Sequence, residues 1–325
     1  MELLDSYGRK INYLRLAITD RCNLRCQYCM PAEGVPKQTH NDILSFEELL
    51  LLAKTAISMG IEKVRVTGGE PLVRKGIVDF LARLASIAGL KHLVLTTNGL
   101  LLQEMAADLR GAGVQRLNIS LDSLQPETFK RITRCGDLAR VMAGIDAAEK
   151  AGLPIKLNMV VMRGINDAEI LDFVRLSIDK LYTVRFIEYM PTIKEDNWKS
   201  LVMPGREILN RIENEFEFKS LDHAELAGPA QNYKIDGALG SFGLITPLSN
   251  HFCGACNRIR VTSSGKVWSC LFSEQEYDLK PFLRSKDATA VKVALRRITT
   301  AKPEKHQISC CEAEHKAFTM SSIGG

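Results

Sequence analysis

The sequence has no long apolar run, no leader segment and no low-complexity segment. No stretch approaches the roughly 20 consecutive apolar residues that a membrane-spanning helix needs. The N-terminal segment MELLDSYGRKINYLRL lacks the charged stretch followed by an apolar stretch that marks a secretory signal peptide. These absences predict a cytoplasmic protein with no membrane-bound part.

Dense basic runs are missing as well, although the chain is basic overall. Its formal net charge is +5, and its sequence pI is about 8.7. Nucleic-acid-binding domains usually have a denser Lys/Arg patch and a pI above about 9. The balance therefore predicts no nucleic-acid partner and favours a pocket for a phosphorylated small molecule.

Cysteine, in contrast, is plentiful, with nine residues in a chain that has no secretory leader. This odd count favours metal or redox chemistry over a disulfide framework. A closed zinc site takes four ligands and an electron-transfer [4Fe-4S] cluster takes four cysteines, so a trio leaves one position open. The sequence therefore predicts two [4Fe-4S] clusters, each with one open iron. Their ligands are the trios Cys22, Cys26, Cys29 and Cys253, Cys256, Cys270.

The remaining three cysteines have no partner at ligand spacing. Cys135 is predicted to be a small buried side chain, and the adjacent Cys310 and Cys311 are predicted to have no chemical role. The six histidines form no spaced pair that would indicate a further metal site.

Short β-rich runs alternate with helical stretches from residue 14 to about residue 188. Six β-then-α units in series favour parallel strands joined by right-handed crossovers, and six is fewer than the eight of a closed barrel. The predicted fold is α/β, an incomplete (βα)6 TIM-like barrel. Strands are predicted at 14–18, 63–67, 92–96, 116–120, 155–161 and 184–188, and helices at 46–59, 77–87 and 100–109.

The pattern changes after Met190. A helix is predicted at 205–216, glycine-punctuated strands at 231–248, and a hairpin at 259–268 that turns at Ser264 and Gly265. We therefore divide the chain into a partial barrel, residues 1–190, and a C-terminal α+β extension, residues 191–325. The extension is expected to close the open side of the barrel.

Polar, glycine-rich loops follow three of the predicted strands at their C-terminal ends. In barrels and open α/β sheets the ligand lies at that edge, so these loops and the first trio should meet at one site. The loops are 67–71, 96–99 and 120–123.

The segment TDRCNLRCQYCMP resembles the radical SAM superfamily, since it has the Cys-x3-Cys-x2-Cys spacing with an aromatic residue before the last cysteine. Gly68-Gly69-Glu70-Pro71 resembles that superfamily's loop for the amino group of S-adenosylmethionine (SAM). The resemblance implies that the first cluster chelates SAM and that its electron releases a 5′-deoxyadenosyl radical. It also implies SAM contacts at Tyr28, Gly69, Ser120 and Met190.

Other interpretations of these residues stay open at this point. The first trio could belong to a zinc loop with His40 as fourth ligand, Ser120 could be a helix N-cap, and Met190 could be core.

The second trio has two and then 13 intervening residues. Together with the first, it resembles the molybdenum cofactor biosynthesis protein A family, the GTP 3′,8-cyclases, over nearly the whole chain. The resemblance implies that the second cluster binds the guanine of GTP. It implies conversion of GTP to (8S)-3′,8-cyclo-7,8-dihydroguanosine 5′-triphosphate.

Basic residues at alternate strand positions fit this resemblance, because such positions share one face of a strand and guanidinium groups bind phosphate in pairs of hydrogen bonds. Lys63 and Arg185 are expected as further members of this face. The residues assigned to GTP are Arg15, Arg65, Thr96, Lys156, Arg258 and Arg260. Catalytic roles are expected for Arg258, Arg260, Gly324 and Gly325, the last two as a tail that enters the site.

Two other functions remain open: a radical SAM peptide-modifying enzyme with an auxiliary cluster, and an electron carrier or zinc-stabilised binding module without catalytic activity. The family resemblance further implies three partners beside GTP. They are a one-electron donor of the flavodoxin or ferredoxin kind, the next pathway enzyme, cyclic pyranopterin monophosphate synthase, and a second copy of the chain in a homodimer.

Overall fold

The structure is a computed structural model that describes residues 2–36, 38–190, 198–222, 228–273, 275–306 and 320. Within these residues twelve strands form one sheet. The strands are β1 Tyr13–Ala17, β2 Lys63–Thr67, β3 His92–Thr97, β4 Arg116–Ser120, β5 Ile155–Val161, β6 Thr183–Glu188, β7 Phe218–Leu221, β8 Gln231–Ile235, β9 Ser241–Ile245, β10 Arg258–Val261, β11 Lys266–Trp268 and β12 Tyr277–Asp278.

The helices lie mainly between successive parallel strands. They are α1 Phe46–Ile57, α2 Ile77–Ala85, α3 Leu102–Gly111, α4 Pro126–Thr133, α5 Leu138–Lys150, α6 Ile170–Asp179, α7 Trp198–Leu201, α8 Gly205–Glu213, α9 Lys280–Arg284 and α10 Ala288–Thr300. Among the described residues, we find no helix with the length and apolar character that crossing a membrane requires.

The sheet order is β12-β11-β10-β1-β2-β3-β4-β5-β6-β9-β8-β7. Strands β1 to β6 pair in parallel, in chain order. The predicted incomplete (βα)6 barrel is therefore confirmed. The C-terminal region lengthens both edges, because β10 pairs in parallel with β1 and β9 pairs in parallel with β6. The predicted hairpin at 259–268 corresponds to β10 and β11, which pair antiparallel.

Local sequence explains where helices begin. At the start of α1 the Ser45 side chain accepts from the Glu48 backbone N–H, and the Glu48 carboxylate accepts from the Ser45 N–H, a capping box. Helix α3 begins at Leu102, two residues later than predicted. The delay arises because Asn98 turns the chain first, through a 3.1 Å bond from the Leu100 N–H to its Oδ1.

The two faces of the parallel sheet differ in chemistry. One face packs against the helices through apolar residues such as Leu14, Val64 and Leu117, which are fully buried. Each such side chain contributes about 1.5–3 kcal/mol to folding by leaving water. The other face carries Arg15 and Arg65 at paired positions of β1 and β2. Alternation along the strands therefore separates an apolar core from a basic lumen.

Candidate active site

Both cysteine trios face one cavity on the lumen side of the sheet. The cavity is lined by the six trio cysteines and by residues that include Tyr13, Arg15, Tyr28, Arg65, Gly69, Thr96, Asn98, Ser120, Asp122, Asn158, Arg185, Glu188, Met190, Arg258, Arg260, Lys302 and His306. The structure thus brings together the two motifs that stand about 230 residues apart in the sequence, as parallel strands with ligand loops at one edge require.

The first trio lies on the loop after β1. Its cysteines form no disulfide and are half-buried, and Cys26 interacts electrostatically with both Cys22 and Cys29. The loop is held by α4, because the Gln27 N–H donates to the Ile132 carbonyl at 2.9 Å. Burial raises the pKa of Cys22 to about 11 and that of Cys26 well above its usual value. Thiols in this setting can serve as ligands of a metal cluster, because the metal replaces the thiol proton.

The glycine loop after β2 packs directly on the segment that leads into the first trio. The Gly69 N–H donates to the Thr19 carbonyl and the Glu70 N–H to the Arg21 carbonyl, both at 2.8 Å. A Cβ at Gly69 would lie 2.4 Å from the Arg21 oxygen. Glycine is therefore required here for the close approach of two backbones.

Glu70 ties this loop to the next one. Its carboxylate accepts from the Leu72 N–H at 3.0 Å, the Thr97 hydroxyl at 2.8 Å and the Asn98 N–H at 2.7 Å. Burial raises the pKa of Glu70 to about 7. The Asn98 amide in turn donates to Asn23, beside the first trio, at 2.7 Å. The predicted meeting of loops 67–71 and 96–99 at one site is confirmed.

A second carboxylate approaches the first trio from β4. The Tyr28 hydroxyl donates to Asp122 at 2.8 Å, and the Val160 N–H donates to the other oxygen of Asp122 at 2.9 Å. Burial raises the pKa of Asp122 to about 6. Ser120 and Met190 line the cavity. The first trio is thus bordered by two buried acidic groups.

The second trio lies around the β10–β11 hairpin, with half-buried free thiols. Cys253 interacts electrostatically with Cys270 and Cys256, so the three sulfurs are close together. Burial raises the pKa of Cys253. Burial would also raise the pKa of Cys256, but the charges of Arg258 and Lys302 lower it to about 6. The second trio is bordered by cations.

Each trio fits a [4Fe-4S] cluster with an open position: three cysteines without a disulfide line one cavity, which has room for a further ligand. His40, the alternative zinc ligand at the first trio, lies in a separate groove with Arg74 and Arg284. At the second trio the ligand atoms of His251, Cys253 and His306 lie within 4.8 Å of one another.

The basic lumen lies between the trios. Arg15 pairs with Arg65 on one side and with Arg260 on the other, so three guanidinium groups share one level of the sheet. Each of the three is only 7% exposed. In the part of the chain that the structure describes, the buried Nε atoms of Arg65 and Arg185 have no acceptor. This arrangement requires an anion to compensate it.

Thr96 and Lys156 take different places among the residues assigned to GTP. The Thr96 hydroxyl lines the cavity and, within the described residues, is buried without a partner. Lys156 does not line the cavity. It lies on the lumen face of β5, two residues before the cavity residue Asn158. Burial, with the charges of Arg185 and Arg116, lowers the pKa of Lys156 to about 6.

Two basic residues, Arg116 and Lys302, were missed by sequence reasoning. Arg116 lies on the lumen face of β4, two residues before Asn118, and its Nε has no acceptor among the described residues. Its spacing of four residues before Ser120 could have indicated it. Lys63, in contrast, was expected on this face, and it is buried beside the Tyr13 ring, with its Nζ 4.5 Å from the ring centroid. Lys302 had no strand pattern that could have indicated it.

Three expectations about the remaining cysteines and the tail have different outcomes. Cys135 is exposed, so its prediction as a buried side chain is wrong. Its Sγ donates to the Asn23 carbonyl at 3.5 Å, because it follows α4 in a surface turn. Cys310, Cys311, Gly324 and Gly325 lie outside the described residues.

Comparisons with known proteins identify the family of the chain. The family model of the radical SAM superfamily matches residues 16–177, and the model of Molybdenum Cofactor Synthesis C matches residues 182–308. A GTP 3′,8-cyclase of Geobacter sulfurreducens is 63% identical over 100% of both chains. Another, of Alkaliphilus oremlandii, is 46% identical over 99% of both chains.

Solved structures share the fold. Streptococcus suis SuiB bound to SAM has a TM-score of 0.61 and 13% identity, and the match covers 94% of this chain and 79% of that one. SuiB bound to the precursor peptide SuiA has a TM-score of 0.62 and also 13% identity, covering 94% and 77%. Given the full-length identity to the curated relatives, the chain belongs to the GTP 3′,8-cyclase family within the radical SAM superfamily.

Proposed function

We propose that this chain is a radical SAM enzyme that converts GTP to (8S)-3′,8-cyclo-7,8-dihydroguanosine 5′-triphosphate in molybdenum cofactor biosynthesis. One observation carries the proposal: both cysteine trios open into one cavity whose wall includes the buried Arg15, Arg65 and Arg260. An enzyme that binds a cationic cosubstrate beside a polyanionic substrate needs this layout.

When bound, the cluster on the first trio supplies the electron that cleaves SAM reductively, and the cluster on the second supplies an open iron for guanine. The protein's own part is to bind both molecules, orient them and exclude water.

On the SAM side, we assign Gly69, Ser120, Tyr28 and Met190. The backbone of the Gly69 loop is proposed to bind the amino group of SAM. The loop is held by the hydrogen bond from the Gly69 N–H to the Thr19 carbonyl, and Gly69 has no Cβ that would block the approach. The Tyr28 ring is fixed by its bond to Asp122. SAM carries a positive sulfonium and a positive amino group, which the neighbouring acidic groups favour.

On the GTP side, we assign Arg15, Arg65, Thr96, Lys156, Arg258 and Arg260. GTP carries about four negative charges, and the lumen offers buried guanidinium groups with unused donor atoms. Arg258 and Arg260 stand on one face of β10, next to the second trio, and so link the guanine end to the phosphate end. These two arginines are also the proposed catalytic pair.

The tail residues Gly324 and Gly325 complete the proposed site. Their support is the family resemblance alone, because they lie outside the described residues. Only glycine would fit a backbone that close to substrate.

The proposal includes partners and place. We assign a one-electron donor of the flavodoxin or ferredoxin kind, product transfer to cyclic pyranopterin monophosphate synthase, a homodimer and a cytoplasmic location. A division of the chain at residue 190 also remains a proposal; the two family matches meet between residues 177 and 182, so that β6 falls in the second.

The test is anaerobic reconstitution followed by an iron count and a product assay. About eight irons per chain, for two [4Fe-4S] clusters, are expected. Addition of GTP and SAM should release 5′-deoxyadenosine together with the cyclised nucleotide. About four irons, or turnover that is indifferent to GTP, would contradict the proposal; the second result would favour a peptide substrate.

The Cys256→Ala variant adds a sharper result. It removes one ligand of the second trio and should abolish GTP cyclisation while reductive SAM cleavage persists. The exposed Cys135→Ala variant is the matched control and should keep full activity. Undiminished cyclisation in Cys256→Ala would refute a substrate-binding role for the second cluster.

A further inference from the structure

Lys302 joins the two chain segments that carry the second trio. It follows α10 and is only 3% exposed. Its Nζ donates to the Arg258 carbonyl at 3.0 Å and also, at a shorter distance, to the Ser269 carbonyl. Arg258 stands two residues after Cys256, and Ser269 directly precedes Cys270. One ammonium group thus fixes the separation of two cluster ligands.

The charge of this ammonium acts on the trio itself. Lys302 interacts electrostatically with Cys256 and Cys270. An ammonium has three N–H donors, and two of them are used on the Arg258 and Ser269 carbonyls. Among the described residues its hydrogen-bond acceptors are these two carbonyls, without a carboxylate. A buried charge requires compensation, and here the thiolates of the trio provide it.

The segment after Lys302 is held against the trio by Arg9. The Arg9 guanidinium donates to the Cys253 carbonyl at 2.7 Å, the Glu304 carbonyl at 2.8 Å and the Pro303 carbonyl at 2.6 Å. Asp5 fixes the same guanidinium at 2.5 Å. The Lys302 side chain therefore leaves from a backbone that is already positioned, so that little ordering is needed when a cluster binds.

We propose that Lys302 is a positioning residue for the second cluster, and that its charge raises the reduction potential of that cluster. Reduction adds one electron to the cluster and makes it more negative. A fixed cation beside the ligand sulfurs stabilises the reduced form more than the oxidised form. The inference rests on the proposed function only in that the second trio holds a cluster.

The test uses the full-length chain with Cys22, Cys26 and Cys29 replaced by Ala, so that only the second site holds iron, roughly four atoms per chain. Its midpoint potential is measured by dithionite titration followed by electron paramagnetic resonance. In this background we compare Lys302→Met, Lys302→Gln and Lys302→Arg. Lys305→Met is the matched control, because Lys305 is exposed three residues later.

Lys302→Met should lower the reduction equilibrium constant at least tenfold, which is about 59 mV for a one-electron couple. Lys302→Gln, which keeps donors for the two carbonyls but loses the charge, should lower the potential as well. Lys302→Arg and Lys305→Met should keep the parent potential. A loaded Lys302→Met protein with the parent potential overturns the proposal.

Should Lys302→Met fold but load no iron, Lys302→Arg decides. Restored iron content and potential in Lys302→Arg support the positioning role, whereas a Lys302→Arg protein without iron overturns it. The potential is measured without GTP or SAM. Failure of the proposed function would instead show as missing GTP-dependent SAM cleavage in the unsubstituted two-cluster chain.

Discussion

The two cysteine trios offer the same three ligands in opposite electrostatic surroundings. Beside the first trio stand the buried carboxyl groups of Glu70 and Asp122, and burial raises the pKa of Cys22 to about 11. Beside the second stand Arg258 and Lys302, which lower the pKa of Cys256 to about 6 against the effect of burial. The ligand set alone therefore does not determine what each open position binds.

The difference in charge supports the proposed assignment of SAM to the first trio and GTP to the second. A site bordered by acidic groups favours SAM, which is a cation at its sulfonium, and a site bordered by guanidinium groups favours a triphosphate. The same difference follows from topology. The first trio lies on the loop after β1, beside other loops that carry backbone donors and carboxylates. The second trio lies beside β10, whose lumen face carries Arg258 and Arg260.

Among substitutions outside the cluster ligands, the largest expected effect on substrate binding is on the basic side. Arg65→Met should raise the KM for GTP about 10- to 100-fold, since a hydrogen bond to a charged group contributes about 1.5–3 kcal/mol. The KM for SAM should not change. Steady-state kinetics of the reconstituted enzyme measure both values.

The control is Arg83→Met, which removes an arginine from α2 whose side chain is 56% exposed. It should leave both KM values unchanged. If Arg65→Met raised the KM for SAM as much as the KM for GTP, the assignment of the lumen to GTP would be wrong.

A smaller effect is expected on the acidic side. Asp122→Asn keeps an oxygen for the Val160 N–H but offers the Tyr28 hydroxyl an NH2 group in place of a charged acceptor. The KM for SAM should rise about 5- to 10-fold, equal to about 1–1.4 kcal/mol. The KM for GTP should stay constant, and so should both values in the exposed control Asp108→Asn. A change in the KM for GTP alone would contradict the assignment of the acidic side to SAM.

The smallest expected effect is the uptake of protons when GTP binds. Because burial and neighbouring cations lower the pKa of Lys156 to about 6, this amine is neutral in the substrate-free enzyme at pH 7.5. A bound triphosphate favours the ammonium form and raises this pKa, so GTP binding should take up protons. GTP affinity should accordingly decrease as the pH rises above about 6.

Calorimetry in buffers of different ionisation enthalpy measures this uptake. Lys156→Met should take up fewer protons than the parent, by at most about one per GTP. The exposed control Lys130→Met should match the parent. Equal proton uptake in Lys156→Met and the parent would show that Lys156 does not belong to the GTP site.

Regular and local features were predictable from the sequence. Strands β2, β4 and β5 have the predicted limits, because runs such as KVRVT alternate apolar and polar residues between clear turn signals. The alternation also predicted that Arg15, Arg65 and Arg260 share a face, and their register confirms it. Motif spacing predicted the trios.

Features that depend on distant pairing were not predictable. No local pattern says that β9 and β10 join opposite edges of the same sheet. In the sequence, Lys302 resembles any surface lysine after a helix. It is buried because the carbonyls of Arg258 and Ser269, from the β10–β11 hairpin, approach it. The exposure of Cys135 follows from a turn with positive φ at Arg134, which composition does not reveal.

The most direct test separates the two trios in two full-length chains, one with Cys22, Cys26 and Cys29 replaced by Ala and the other with Cys253, Cys256 and Cys270 replaced by Ala. Anaerobic calorimetry measures SAM and GTP binding to each after reconstitution. The first chain should bind GTP normally and lose SAM, and the second should bind SAM normally and lose at least about tenfold in GTP affinity, or about 1.4 kcal/mol. Loss of GTP binding in the first chain, with GTP binding intact in the second, would contradict the division of roles between the clusters.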